Sequence, residues 1–254
     1  MTIQLRYLTP AAKEGWDTLF DLAIEDSESW LLVGGQMVLV LAIEQGAEFI
    51  RPTEDIDVVV NLRVRPMGTS WLSKWLQQRG FELEGVSPDN IGHRFVRETS
   101  EGLGRVKFDV LAHTGVGRRA NLATVYPART VQAPGTLQAF DRSRLLEVLV
   151  SDLANGNERL GRIRCPDLLG ALVGKAAATS IGTRVNPARD WQDAAMLLSV
   201  LEDPVSARQR CGKRDLQHLN RLRPLFSPLH IGWGNLSGDA RRLGTAALSF
   251  LINE

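Results

Sequence analysis

Apolar positions recur at helical spacing over Ala11–Glu25, where Trp16, Leu19, Phe20, Leu22, Ala23 and Ile24 predict an amphipathic helix. Leu31–Val33 is short and wholly apolar, which predicts a buried strand, and after Gly34-Gly35 the run Gln36–Glu44 predicts a buried helix ending near Gly46. A second strand is expected over Ile56–Asn61, with Asp55 just ahead of it and Asp57 just inside it. Trp71, Leu72, Trp75 and Leu76 give Ser70–Arg79 helical spacing that stops at Gly80. Phe81–Leu83, His93–Arg97 and Arg105–Ala112 read as further strands. The last alternates, so Lys107, Asp109 and Leu111 share one face and Val106, Phe108 and Val110 the other.

Between His113 and Pro134 the chain is rich in Gly, Arg, Ala and Pro and reads as loop, with a short helix after Pro134-Gly135-Thr136. Leu145–Val150 and Arg162–Arg164 are expected to pair as a hairpin. Helices are predicted over Leu168–Ser180 and, after Pro187, over Ala188–Leu201, followed by helical patches broken by Pro224, Pro228 and glycines. Strands interleaved with helices and then helices alone predict an α/β fold: a mixed sheet with flanking helices over residues 1–150 and a mainly helical domain over 151–254.

Composition narrows the class. A chain of 254 residues with 44% hydrophobic content can bury a substantial core. Cys165 and Cys211 lack CxxC spacing and four scattered histidines form no zinc pattern, so neither a disulfide framework nor structural zinc is expected. No secretory leader and no membrane-spanning run is visible, which makes a soluble, cytoplasmic protein the expectation. The net charge of +1 hides an asymmetry, with 16 basic against 19 acidic residues over 1–150 and 14 against 10 over 151–254. The second part could therefore face a polyanion, through Arg208, Arg210, Lys213, Arg214, Arg221 and Arg223, or simply carry a solvated surface.

Chemistry concentrates around the first glycines. On a strand, side chains at i and i+2 project from one face, so Asp55 and Asp57 can grip one divalent cation together. A strand, a Gly-Gly turn and a helix start follow in that order at Gly34 and Gly35; backbone N–H groups and the helix dipole there attract phosphate, although most Gly-Gly pairs mark a tight turn only. Asp109, on a strand predicted to be central, is a candidate third carboxylate or simply paired with Lys107 or another base. Three carboxylates holding Mg²⁺, with a cation such as Lys175 to neutralise the transition state, are what nucleotidyl transfer needs. Taken alone, Lys175 equally suits a snorkelling surface lysine, and Asp190 and Asp193 the polar face of a helix.

Gly34-Gly35, the intervening helix, Arg51-x-Thr53-x-Asp55-x-Asp57, and the later Lys175 with Arg189-Asp190-x-x-Asp193 resemble the nucleotidyltransferase superfamily, and within it the AbiEii-type branch that includes the MenT toxins. The landmarks span residues 30 to about 200. The resemblance implies Asp55 and Asp57 as the metal pair, Asp109 as the third metal carboxylate, and Gly34 and Gly35 as the triphosphate turn. It also implies catalytic roles for Lys175, near the nucleotide phosphates, and Asp190, orienting that lysine or the attacking group, with Asp193 as the fallback at that position. Arg51 and Thr53, ahead of the metal pair, are assigned to the nucleotide site, Arg51 pairing either with phosphate or with one of the acids. Members of the branch are toxins of toxin-antitoxin systems that transfer a nucleotide to the 3′ acceptor end of tRNA. An NTP, Mg²⁺ (or Mn²⁺), a tRNA and a cognate antitoxin protein are therefore the implied partners. Two other readings use the same residues: a nucleotidyltransferase acting on a small molecule of the antibiotic type or on a protein, with Asp190 as base, and a non-catalytic NTP-binding regulator.

Overall fold

Thr9 opens the first helix: its hydroxyl accepts from the Ala12 backbone N–H, and Pro10 stands at the first helical position, where no N–H is needed. The computed structural model describes the chain apart from residues 8, 48–52, 153–155, 181–187 and 254. It is a mixed α/β structure with two sheets, flanking helices and a helical C-terminal region. No helix among the described residues is long and apolar enough to cross a membrane.

The chain forms two units that do not meet at a single cut near residue 150. One comprises Met1–Met37, Arg51–Ala133 and Ser143–Cys165; the other comprises Val38–Ile50, Pro134–Arg142 and Pro166–Glu254. The second helix, expected over Gln36–Glu44, runs over Gly34–Glu44 (α2) and is divided between them.

In the first unit, β2 (Trp30–Val33), β3 (Ile56–Val60), β6 (Arg105–His113), β5 (Arg94–Glu98) and β4 (Glu82–Leu83) lie side by side in that order, with β7 (Gln132–Ala133) on β6. Pairing of β3 with β6 is parallel and that of β2 with β3 antiparallel, which makes the sheet mixed. Its two faces differ as the alternation predicts. Ile56, Val58, Val60, Val106, Phe108 and Val110 are fully buried or nearly so. Two helices lie on that face. Gly15 of α1 (Pro10–Glu25) packs on Ile56 and Val106, and Gly68 at the start of α3 (Gly68–Gln77) approaches Val60 so closely that a Cβ would stand 2.4 Å from a valine methyl. The opposite face carries Asp57, Lys107 and Asp109.

A second, three-stranded sheet was not expected in full. β8 (Ser143–Asp152) and β9 (Glu158–Pro166) are longer than the predicted hairpin, and β1 (Ile3–Tyr7) adds parallel to β8, with Ile3 opposite Val148. Only five residues long, β1 depends on a partner 145 positions away, as from Ile3 to Val148, and local patterning carries no signal for such pairing. Gly161 lies under Phe20 of α1, where a Cβ would meet the ring at 2.2 Å.

The second unit is helical: α4 (Thr136–Asp141), α5 (Leu168–Ala178), α6 (Ala188–Ser199), α7 (Pro204–Gln209), α8 (Lys213–Leu219), two short 3₁₀ turns and α9 (Gly238–Ile252). Asp167 caps α5 by accepting from Gly170 N–H, and Gly135, at φ +73°, fits against α5 only 2.9 Å from the Gly174 Cα in Cβ terms, so a side chain there is excluded.

Candidate active site

Gly34 and Asp57 are made for each other. β2 pairs Val33 opposite Asp57, which puts the start of α2 next to that carboxylate. Gly34 sits at φ +70°, and a Cβ built on it would lie 1.8 Å from Asp57 Oδ2. Only glycine permits both the left-handed backbone and the close approach. The Gly-Gly turn and the Asp-x-Asp pair, separate motifs in the sequence, thus form one feature. Gly35 lies in the first turn of α2.

Register then assembles a row of charges. Asp57 is opposite Asp109 on β6, and Asp109 is opposite Arg94 on β5, so the three project from one face in neighbouring strands. Arg94 grips Asp109 as a fork: Nε donates to Oδ1 at 2.8 Å and Nη2 to Oδ2 at 2.7 Å. Asp55 lies near two cations, 3.7 Å from Arg94 Nη2 and 3.5 Å from Lys107 Nζ. The hydrogen bonds to Asp109, against the cost of partial burial, hold the Arg94 guanidinium above its ordinary pKa range, so it is a permanent cation. Asp109 is therefore engaged differently from a plain third metal ligand: both of its oxygens accept from arginine. Among the described residues no group of three or more Asp, Glu, His or Cys is arranged to hold a metal ion. Asp55 and Asp57 remain the oxygen pair suited to Mg²⁺, which commonly uses one or two carboxylates together with substrate phosphates and water.

Gln36, fully buried in the first turn of α2, ties this region down. Its Oε1 accepts from the Tyr7 hydroxyl at 2.8 Å and from Trp16 Nε1 at 3.2 Å, while its Nε2 donates to the Thr53 carbonyl at 2.6 Å. An indole N–H can only donate and a carbonyl can only accept, so these partners fix the amide orientation. Burial pushes the Tyr7 phenol far above its ordinary pKa, keeping it a donor. Thr53, predicted as a nucleotide contact, is held through its backbone by Gln36, and next to it Glu54 accepts from Thr9 Oγ1 at 3.0 Å. Arg51 lies outside the described residues.

Neither Gln36 nor Arg94 was singled out in the sequence. Gln36 left a trace there, a lone amide heading an otherwise apolar helix. Arg94 left none, because its importance depends on the β5–β6 register.

In the helical unit, α5 and α6 bring together the other predicted residues. Lys175 Nζ lies 2.7 Å from Asp193 Oδ2 and 3.3 Å from Asp190 Oδ1. The side chains are 9%, 2% and 3% exposed, respectively. Lys175 is thus not a snorkelling lysine but the centre of a buried ion triad, and Asp193 stands closer to it than Asp190.

No family model matches the chain, and no curated protein matches it.

Of the basic residues predicted to face a polyanion, Lys213, Arg214, Arg221 and Arg223 are exposed. Arg210 pairs with Asp167 at 2.8 Å, and Arg221 donates to the Ala177 carbonyl and to Ser180 Oγ. Arg208 is half-buried.

Proposed function

We propose that the protein is a Mg²⁺-dependent nucleotidyltransferase, acting as the toxin of a toxin-antitoxin system by moving NMP from an NTP to the 3′ acceptor end of tRNA. The observation that carries this reading is the Asp57 carboxylate packed against the left-handed Gly34 turn, with Asp55 two residues before it. That arrangement sets two hard oxygen donors beside the start of an 11-residue helix, where backbone N–H groups favour phosphate.

In this reading the turn at Gly34 and Gly35 holds the β- and γ-phosphates, and Asp55 and Asp57 hold the Mg²⁺ that arrives with them. When bound, the ion offsets charge on the triphosphate and on the leaving pyrophosphate. A terminal ribose hydroxyl of the acceptor attacks the α-phosphorus; a new P–O bond forms, the bond to pyrophosphate breaks, and the hydroxyl proton passes to a carboxylate or to solvent. Gln36 keeps the segment before Asp55 at a fixed distance from the helix start, which is pre-organisation of the kind such chemistry requires. Lys175, held between Asp190 and Asp193, is the cation that the resemblance assigns to the nucleotide. Lys213, Arg214 and Arg223 supply exposed positive charge for RNA phosphates, a contact weakened by salt.

The test is label transfer from each α-labelled NTP to total tRNA with Mg²⁺, resolved on a denaturing gel, for the wild type and Asp57→Ala. Label on tRNA from the wild type alone is the expected result. No label with any of the four nucleotides overturns the tRNA acceptor and shifts the reading to a small-molecule or protein acceptor, or to nucleotide binding without transfer.

A further inference from the structure

The fork between Arg94 and Asp109 uses only one edge of the guanidinium. Nε and Nη2 are engaged with Asp109, whereas Nη1, which carries two N–H groups, makes no hydrogen bond or ion pair among the described residues. The Arg94 side chain is 37% exposed. Two residues before Asp109 on the same face, Lys107 has a single ion pair among the described residues, to Asp55 at 3.5 Å, and is 32% exposed. Two cationic donors, one held rigid by a bidentate carboxylate, thus stand beside Asp55 and Asp57 with capacity to spare. Charge counting points the same way. Among the described residues three carboxylates and two cations share the face, and a divalent ion on Asp55 and Asp57 would turn their summed charge positive, which suits an anionic ligand and not a second metal ion.

We propose that Arg94 and Lys107 bind a phosphate of the nucleotide and that Asp109 is a positioning residue for Arg94, not a ligand of the metal ion. The inference rests on the nucleotidyl-transfer reading above. Arg94 replaces, as a fixed cation, what a second ion would do at the phosphates, and Asp109 holds its plane.

The experiment is equilibrium binding of fluorescent ribonucleoside triphosphates across a Mg²⁺ titration, for the wild type, Arg94→Gln, Arg94→Lys, Lys107→Met, Asp109→Asn and the Arg94→Gln/Asp109→Asn double variant. Loss of the arginine contact should weaken binding about tenfold to a hundredfold; Arg94→Lys keeps the charge without the fork and should lie between. Lys107→Met should weaken binding by a smaller factor. Asp109→Asn should weaken binding several-fold alone and not at all in the Arg94→Gln background, with the Mg²⁺ midpoint unchanged throughout. A merely structural role for Asp109 would not produce that coupling. Wild-type affinity in both Arg94 variants overturns the phosphate contact. A tenfold shift of the Mg²⁺ midpoint in Asp109→Asn, or an equal loss in both backgrounds, makes Asp109 a metal ligand and overturns its positioning role. A wild type that binds none of the four nucleotides removes the nucleotidyl-transfer reading itself, a failure distinct from the other two.

Discussion

The sheet cluster in the first unit and the Lys175 triad in the second are both knots of acid and base, yet they differ in their access to water. Around Asp55, Asp57 and Asp109 the cations are about one-third exposed and keep unused donors. In the triad, the lysine and both aspartates are almost wholly enclosed. Exposed ion pairs contribute about 0–1 kcal/mol to stability because solvent screens them. A buried pair, by contrast, leaves an uncompensated charge when one partner is removed, at a cost of about 3–5 kcal/mol. The same residue types thus stay open to solvent in one place and are enclosed in the other.

The largest expected effect follows from the triad. Lys175→Met removes the ammonium that both enclosed carboxylates contact, and chemical denaturation should show a loss of about 3–5 kcal/mol; a loss under 1 kcal/mol would mean that the triad is as well hydrated as the sheet cluster. Gln36→Leu comes next. It strands the Tyr7 hydroxyl, the Trp16 N–H and the Thr53 carbonyl, each at a cost of about 1–3 kcal/mol where water does not reach. Denaturation midpoints of Gln36→Leu and Tyr7→Phe compared in one series would show whether Gln36 is the centre of that network or a spectator.

Gly34→Ala should cost about 1–3 kcal/mol in backbone strain and displace the Asp57 carboxylate, so label transfer should fall much further than stability. Equal losses of both would break the link between the glycine turn and the acid pair. Asp57→Ala should abolish transfer and change stability far less than Lys175→Met, because Asp57 is only half-buried.

The smallest effect concerns pH. Burial lowers the His230 pKa from its usual 6.5, and its Nδ1 accepts from the Gly232 N–H, a bond only the neutral ring can make. A folded-state pKa below the unfolded one means that the stabilising contribution is full above about pH 6.5 and is lost as the pH falls through the lowered folded value. His230→Gln should flatten that part of the stability profile.

Much of this was legible along the chain. Alternation in Arg105–His113 announced which side chains share a face, and the structure places Val106, Phe108 and Val110 inward with Asp109 and Lys107 opposite. The Gly34 turn, the Asp-x-Asp strand and the two helices that carry Lys175, Asp190 and Asp193 stand where their periodicity put them. The division into units was less readable, because Val38–Ile50 and Pro134–Arg142 join the helical part although they are flanked by strands of the other.

Local patterning, then, determined element type, side-chain face and the motif positions, since these depend on repeats of 2 and 3.6 residues within one segment. Tertiary structure alone decided partnership. It opposed Arg94 to Asp109 through strand register, pressed Asp57 against Gly34, linked Gln36 to Thr53 across 17 residues, and closed Lys175 between two aspartates. Each of these depends on where distant backbones come to rest, and a one-residue slip in register would undo the charge row while leaving every local pattern intact.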